Sequence, residues 1–164
     1  MKERIIPSAC PHCGHVFQIK RDTMAVAGMN PIIDQRLYDG TYFTHACSQC
    51  HHLYYLEQPF LYHDPDRKYI LLLTEKKNVG PLPEDELIVR CTNALQLMHA
   101  YRILSQGLNI SYVLRRQHVL ELQVGPVEFD TWNAETRCLW FRQDDQPVAV
   151  RIPEEELPAL LRRV

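Results

Sequence analysis

The stretch "ACPHCGHVF", residues 9–17, holds two cysteines separated by Pro11 and His12. Such a pair serves either as a redox dithiol or as half of a metal site. The second pair decides between them: "ACSQCHHLYYL", residues 46–56, repeats the spacing at Cys47 and Cys50. Each C-x2-C can fold as a turn that presents two sulfurs on one side, and two such turns supply four thiolates for a tetrahedral ion. The predicted ligands are Cys10, Cys13, Cys47 and Cys50. Thiolates suit zinc or iron, and zinc is preferred for its availability and lack of redox liability. Four cysteines close the coordination sphere, so the predicted site is structural and no catalytic residue is assigned.

A redox role requires a βαβ unit ahead of the pair and a helix after it. Only nine residues precede Cys10, and Gly14 is followed by Val16, Phe17 and Ile19 in a strand-like alternation. Gly14 can take the positive φ that turns backbone N–H groups toward sulfur. The second pair has His51 in the place of that glycine. His12, His15, His45, His51 and His52 flank the cysteines and are expected as exposed polar side chains, with direct ligation the minor alternative.

The intervening residues 14–46 exceed the usual ribbon spacing of about 15–20. A short helix fills the excess: in "MNPIIDQRLYDGT", Asn30 caps it, Pro31 occupies its first position and Gly40 ends it. Strands are expected in "TYFTHA" and "HHLYYLE". A hairpin follows in "LYHDPDRKYILLL", with its turn at Asp64-Pro65-Asp66 and a buried strand at 69–73.

The Pro-, Gly- and charge-rich "TEKKNVGPLPEDE", residues 74–86, reads as a surface connection. Beyond it, "TNALQLMHAYRILSQGL" has helical apolar spacing, an Asn93–Gln96 capping box and Gly107 as its stop. "NISYVLRRQHVLEL" is a second helix capped by Asn109, and "VEFDTW", "TRCLWFR" and "VAVRI" form three strands. "PEEELPALLRR" reads as a final helix with acids first and arginines last. The expected class is α+β: a zinc-ribbon-like antiparallel β part over 1–78 with an inserted short helix, then helices and a β-meander over 79–164. The two are expected to pack as one compact unit.

Composition narrows the function. The chain has 164 residues, 46% of them hydrophobic, with 18 Lys and Arg against 20 Asp and Glu. That balance counts against nucleic acid as a partner, and aromatics at Tyr54, Tyr55, Phe60 and Tyr62 without interleaved basic residues read as core. No apolar run reaches membrane-spanning length, and "MKERIIPSAC" lacks the apolar segment of a secretory signal. A cytoplasmic, reducing setting is expected, in which the six cysteines are thiols or ligands. Cys91 and Cys138, in apolar surroundings, read as small buried side chains with inert thiols.

"CPHCG", the helix-bearing insert, the second pair, "LYHDPDRK" and the helical stretch after Cys91 together resemble the CpXC-motif family over roughly residues 8–122. Ser48 stands where the family commonly has proline, His51 where it has glycine, and Asn109-Ile110 where acidic residues are usual. The resemblance implies a metal-binding domain and no particular activity. Three functions compete on this evidence: a zinc-stabilised module binding a protein or a second copy of itself, a nucleic-acid-binding ribbon, and a redox or hydrolytic enzyme.

Overall fold

The computed structural model describes residues 2–164, which divide into two compact units with the boundary between Met98 and His99. The first unit contains strands β1 (Lys2–Ala9), β2 (Val16–Val26), β3 (Thr44–Ala46), β4 (Leu53–Tyr55), β5 (Phe60–Asp64), β6 (Tyr69–Leu73) and β7 (Leu87–Cys91), with helix α1 (Pro31–Asp39). Helix α2 (Ala94–Leu104) contains the division. The second unit contains α3 (Ile110–Val124), β8 (Glu128–Asn133), β9 (Cys138–Gln143), β10 (Gln146–Arg151) and α4 (Leu157–Leu160). The mixed α+β class expected from the sequence is the class found. None of the described helices is long and apolar enough to cross a membrane.

Five strands form the main sheet in the order β1-β2-β5-β6-β7, and β3-β4 form a separate ribbon. β1 was not anticipated, because its charged start hides an alternation in which Ile6 and Ser8 face Ile19 and Phe17 across the β1–β2 pair. Two pairings, β2–β5 and β6–β7, are parallel. The second brings Leu87–Cys91, beyond the 74–86 connection, into the first unit's sheet. All five residues of β6 are buried although alternate ones point to opposite faces, so this interior strand is covered on both sides.

α1 is built as its sequence dictates. Asn30 Oδ1 accepts the Ile32 N–H at 3.1 Å, and Gly40 closes the helix at φ 84°. Ile33 and Leu37 are buried, and the Tyr62 hydroxyl donates to Asp34 at 2.8 Å, tying the helix to β5. Phe43, Tyr42 and Phe60 pack ring against ring beside it, with centroids 4.9–5.8 Å apart. The hairpin turn is also as expected: buried Asp64 accepts the Arg67 N–H at 2.9 Å and pairs with its guanidinium.

In the second unit, β8, β9 and β10 form the expected meander over a core of Ile103, Leu108, Val113, Phe129, Leu139 and Phe141. The free edge of β8 is occupied by side chains from around the end of α2. Arg102 donates to the Phe129 carbonyl, while the Gln106 amide donates to the Asp130 carbonyl and accepts the Trp132 N–H at 2.8 Å. Gln106 thus substitutes for a missing strand.

Three expectations need correction. At α2, Asn93 accepts the Gln96 N–H, but Gln96 reaches back to the Thr92 N–H and hydroxyl rather than to Asn93. The final helix is a 3₁₀ turn, Glu154–Glu156, followed by one α turn that ends at Leu160. Leu161 turns extended to bridge Leu108, and Arg162 donates its N–H to the Gly107 carbonyl, so the arginines lie beyond the helix dipole. Tyr55 is 52% exposed rather than core, unlike Phe60 and Tyr62, because it lies on the outward face of the β3–β4 ribbon.

Candidate metal centre

The two cysteine pairs fold into turns of the same design. In the first, the Cys10 N–H donates to the His15 carbonyl and the Gly14 N–H to the Cys10 carbonyl, both at 2.9 Å. In the second, Cys47 and His52 repeat the first bond at 3.0 Å, and His51 and Cys47 repeat the second at 2.9 Å. Each turn then points an amide at its first sulfur: the His12 N–H at Cys10 and the Gln49 N–H at Cys47, each at 3.4 Å. β1 and β2 carry the first turn, and β3 and β4 the second.

The turns meet sulfur to sulfur. Cys10 Sγ lies 3.7 Å from Cys50 Sγ, and Cys13 Sγ lies 3.6 Å from Cys47 Sγ. All four sulfurs lie within 4.8 Å of one another. These separations far exceed a disulfide bond of about 2.05 Å, and all four cysteines are free. A tetrahedron with metal–sulfur bonds of about 2.3 Å has sulfur–sulfur edges of about 3.8 Å. The cluster has that size, so it can hold a metal ion. Cys10 and Cys47 are buried, Cys50 is partly covered and Cys13 is exposed.

Electrostatics favour a cation at the centre. At Cys47 the N–H of Cys50 favours the thiolate and outweighs burial, with help from the Gln49 N–H and the neighbouring thiols, so its pKa is drawn down to about 6. At Cys50 the His52 N–H also favours the thiolate, but burial and the three other thiols prevail and push it up to about 12. Cys13 is raised too, the lowering by the His15 N–H and by Cys50 outweighed by burial together with Cys47 and Cys10. Once one sulfur ionises, its neighbours resist; positive charge among them removes that conflict.

The flanking histidines stay outside the sulfur cluster, and His12, His15, His45 and His52 enter a run of rings. His12 stacks on His52 at 4.9 Å, His52 on Tyr54 at 6.5 Å, Tyr54 meets His45 edge-on at 5.7 Å, and His45 stacks on Phe17 at 4.8 Å. His15 also stacks with Phe17, at 6.0 Å. These rings join the β1–β2 ribbon to the β3–β4 ribbon. The sequence could have signalled it, since Phe17, His45 and Tyr54 follow or precede their cysteines at strand spacing. Arg21 from β2 adds a bond to the Thr44 carbonyl at 3.2 Å.

The remaining cysteines lie elsewhere. Cys91 is buried at the end of β7, and burial pushes its thiol up to about 11, the inert behaviour expected. Cys138 is only half-buried, its thiol directed to the Thr136 carbonyl at 3.5 Å.

No curated protein and no solved structure matches the chain. The family model described as CpXC protein matches residues 8–120, a span that contains both cysteine turns, the helix between them and the hairpin that follows. With most of its length matched and the two turns assembled into one four-sulfur cluster, the chain belongs to the CpXC family.

Proposed function

We propose that Cys10, Cys13, Cys47 and Cys50 bind one zinc ion in a closed structural site, and that the protein is a zinc-stabilised binding or regulatory module. The observation that carries this reading is the convergence of four sulfurs from two matching turns at the edge length of a zinc tetrahedron. Four thiolates around a divalent ion leave a net charge of −2, which the backbone N–H groups of His12 and Gln49 help disperse. Bound zinc would cross-link the β1–β2 and β3–β4 ribbons, adding to the ring stacking and the Arg21–Thr44 bond between them.

The reading includes a protein partner or a second copy of the chain, in a cytoplasmic, reducing compartment. Residues 5–19 and 40–56 contain no Asp, Glu, Lys or Arg. On the outer faces of the two ribbons, Ile5, Val16, Leu53 and Tyr55 are all more than half exposed. Charge-poor, aromatic and apolar surface is the composition of a protein-interface core.

Elemental analysis of anaerobically purified, tag-free protein, with a parallel count of reactive thiols, tests the site. The expected result is about one zinc per chain, with four thiols protected until a chelator is added. Iron in place of zinc would change the identity of the ion. No metal, with thiols that oxidise reversibly in pairs, would overturn the structural reading in favour of redox chemistry.

A further inference from the structure

The second unit carries a groove of about 620 Å³ on its three-stranded sheet, beyond the residues that the family model matches. Its position follows from strand register. Trp132 pairs with fully buried Leu139 and packs against the core, so Trp140 and its partner Thr131 occupy the opposite face. Trp140 lies on the central strand with only Thr131 and Ala149 directly beside it on β8 and β10. Those small neighbours leave a large ring incompletely covered in the middle of an outward sheet face.

The polar lining has one sign. Asp130 and Glu135 are the only charged residues lining the groove. Asp130 shares its charge with Arg142 at 3.9 Å, while Glu135 is exposed at the turn between β8 and β9. The Thr131 hydroxyl is already donated to Gln106, and Asn133 Oδ1 accepts the N–H groups of Glu135 and Thr136. An indole face beside carboxylates is complementary to a positively charged group, which gains from the ring quadrupole and from the acids together. An anion would be repelled.

We propose that this groove binds an organic cation, an ammonium or guanidinium group, seated on Trp140 and paired with Glu135. The groove is shallow and open, which suits a single cationic head group rather than an enclosed ligand. One partly covered ring and two carboxylates make a weak site, with a dissociation constant on the order of 1 mM.

The test is an NMR titration of the nitrogen-labelled full chain at about 0.15 M salt, where non-specific charge attraction is screened. Choline and arginine amide serve as probes, and 3,3-dimethylbutan-1-ol as the neutral isostere of choline. The expected result is saturable shifts of the Trp140 indole N–H and of amides 130–135 with the cations alone. Glu135→Gln should weaken binding about fivefold, and Trp140→Val should abolish it. No saturable shift, an equal response to the neutral isostere, or unchanged affinity in Glu135→Gln would overturn the proposal. Should Trp140→Val fail to fold, Glu135→Gln decides alone. Tighter binding of a lysine- and arginine-containing peptide than of spermidine assigns the cation to a partner protein; the reverse assigns it to a small polyamine.

Discussion

His51 occupies in the second cysteine turn the position that Gly14 occupies in the first, at φ 61° against φ 75°. Both donate their N–H to the carbonyl of the first cysteine, at 2.9 Å in each turn. The left-handed backbone is imposed by the need to aim N–H groups at sulfur, and only glycine adopts it without cost. His51 therefore sustains strain that its counterpart avoids.

His51→Gly should stabilise the first unit by about 0.5–1 kcal/mol, the relief of a left-handed non-glycine residue less the added freedom of the unfolded chain. Gly14→Ala should cost a similar amount. No heavy atom lies within 4 Å of a Cβ added there, so the loss would be backbone strain and not a clash. Urea unfolding of the metal-loaded protein measures both; a loss of stability in His51→Gly would mean that the imidazole contributes more than its backbone costs.

Chelation should loosen the first unit and spare the second. The cysteines tie the β3–β4 ribbon, whose strands have three residues each, to the β1–β2 pair, whereas the core around Phe129, Leu139 and Phe141 contains no cysteine. Cys10→Ser and Cys47→Ser should reproduce the effect of the chelator and abolish its further action. Near-ultraviolet circular dichroism separates the units, because both tryptophans, Trp132 and Trp140, lie in the second. Unchanged amide protection of β3 and β4 after chelation would contradict the expectation.

Acid should destabilise the second unit through His99. Its Nε2 is buried without a hydrogen-bond partner, and burial, reinforced by Arg102, holds its pKa below the ordinary 6.5 against the pull of Glu128 and Glu121. The folded state therefore binds the proton less readily than the unfolded chain does. The stability this contributes is complete above pH 6.5 and is lost as pH falls through the lower folded value. His99→Leu should flatten that acid limb when unfolding is followed by the tryptophan signal; an unchanged slope would assign the loss to another group.

Gln106→Ala should cost about 1–3 kcal/mol, since it leaves the edge of β8 without the partners that Asp130 and Trp132 now have. The Trp132 amide, which now donates to Gln106, should then exchange with solvent faster than in the parent protein. The exposed edge should also raise aggregation at high concentration.

Local chemistry was legible wherever the effect is local. Asn30, Pro31 and Gly40 delimit α1 because capping and left-handed closure involve neighbours in sequence. Asn109 likewise begins α3, accepting the Ser111 N–H at 3.1 Å. The cysteine spacing gave the four residues that the fold brings together, since each C-x2-C turn is a self-contained geometry. The end of the chain was misread for the opposite reason. Acids followed by arginines favour a helix, yet the bridge from Leu161 to Leu108 stops it after one turn.

What the sequence by itself determined is the set of turns, caps and apolar periods, together with the chemistry of a four-thiol site. Only the tertiary structure decided which strands run parallel, that Gln106 occupies a strand edge, and that histidines expected as bystanders stack across two ribbons. It also decided that Trp140 faces outward while Trp132 faces the core. Capping and turn energies are set by residues a few positions apart. Strand register and ring stacking depend on partners far along the chain, and their free energy exists only once the chain has closed upon itself.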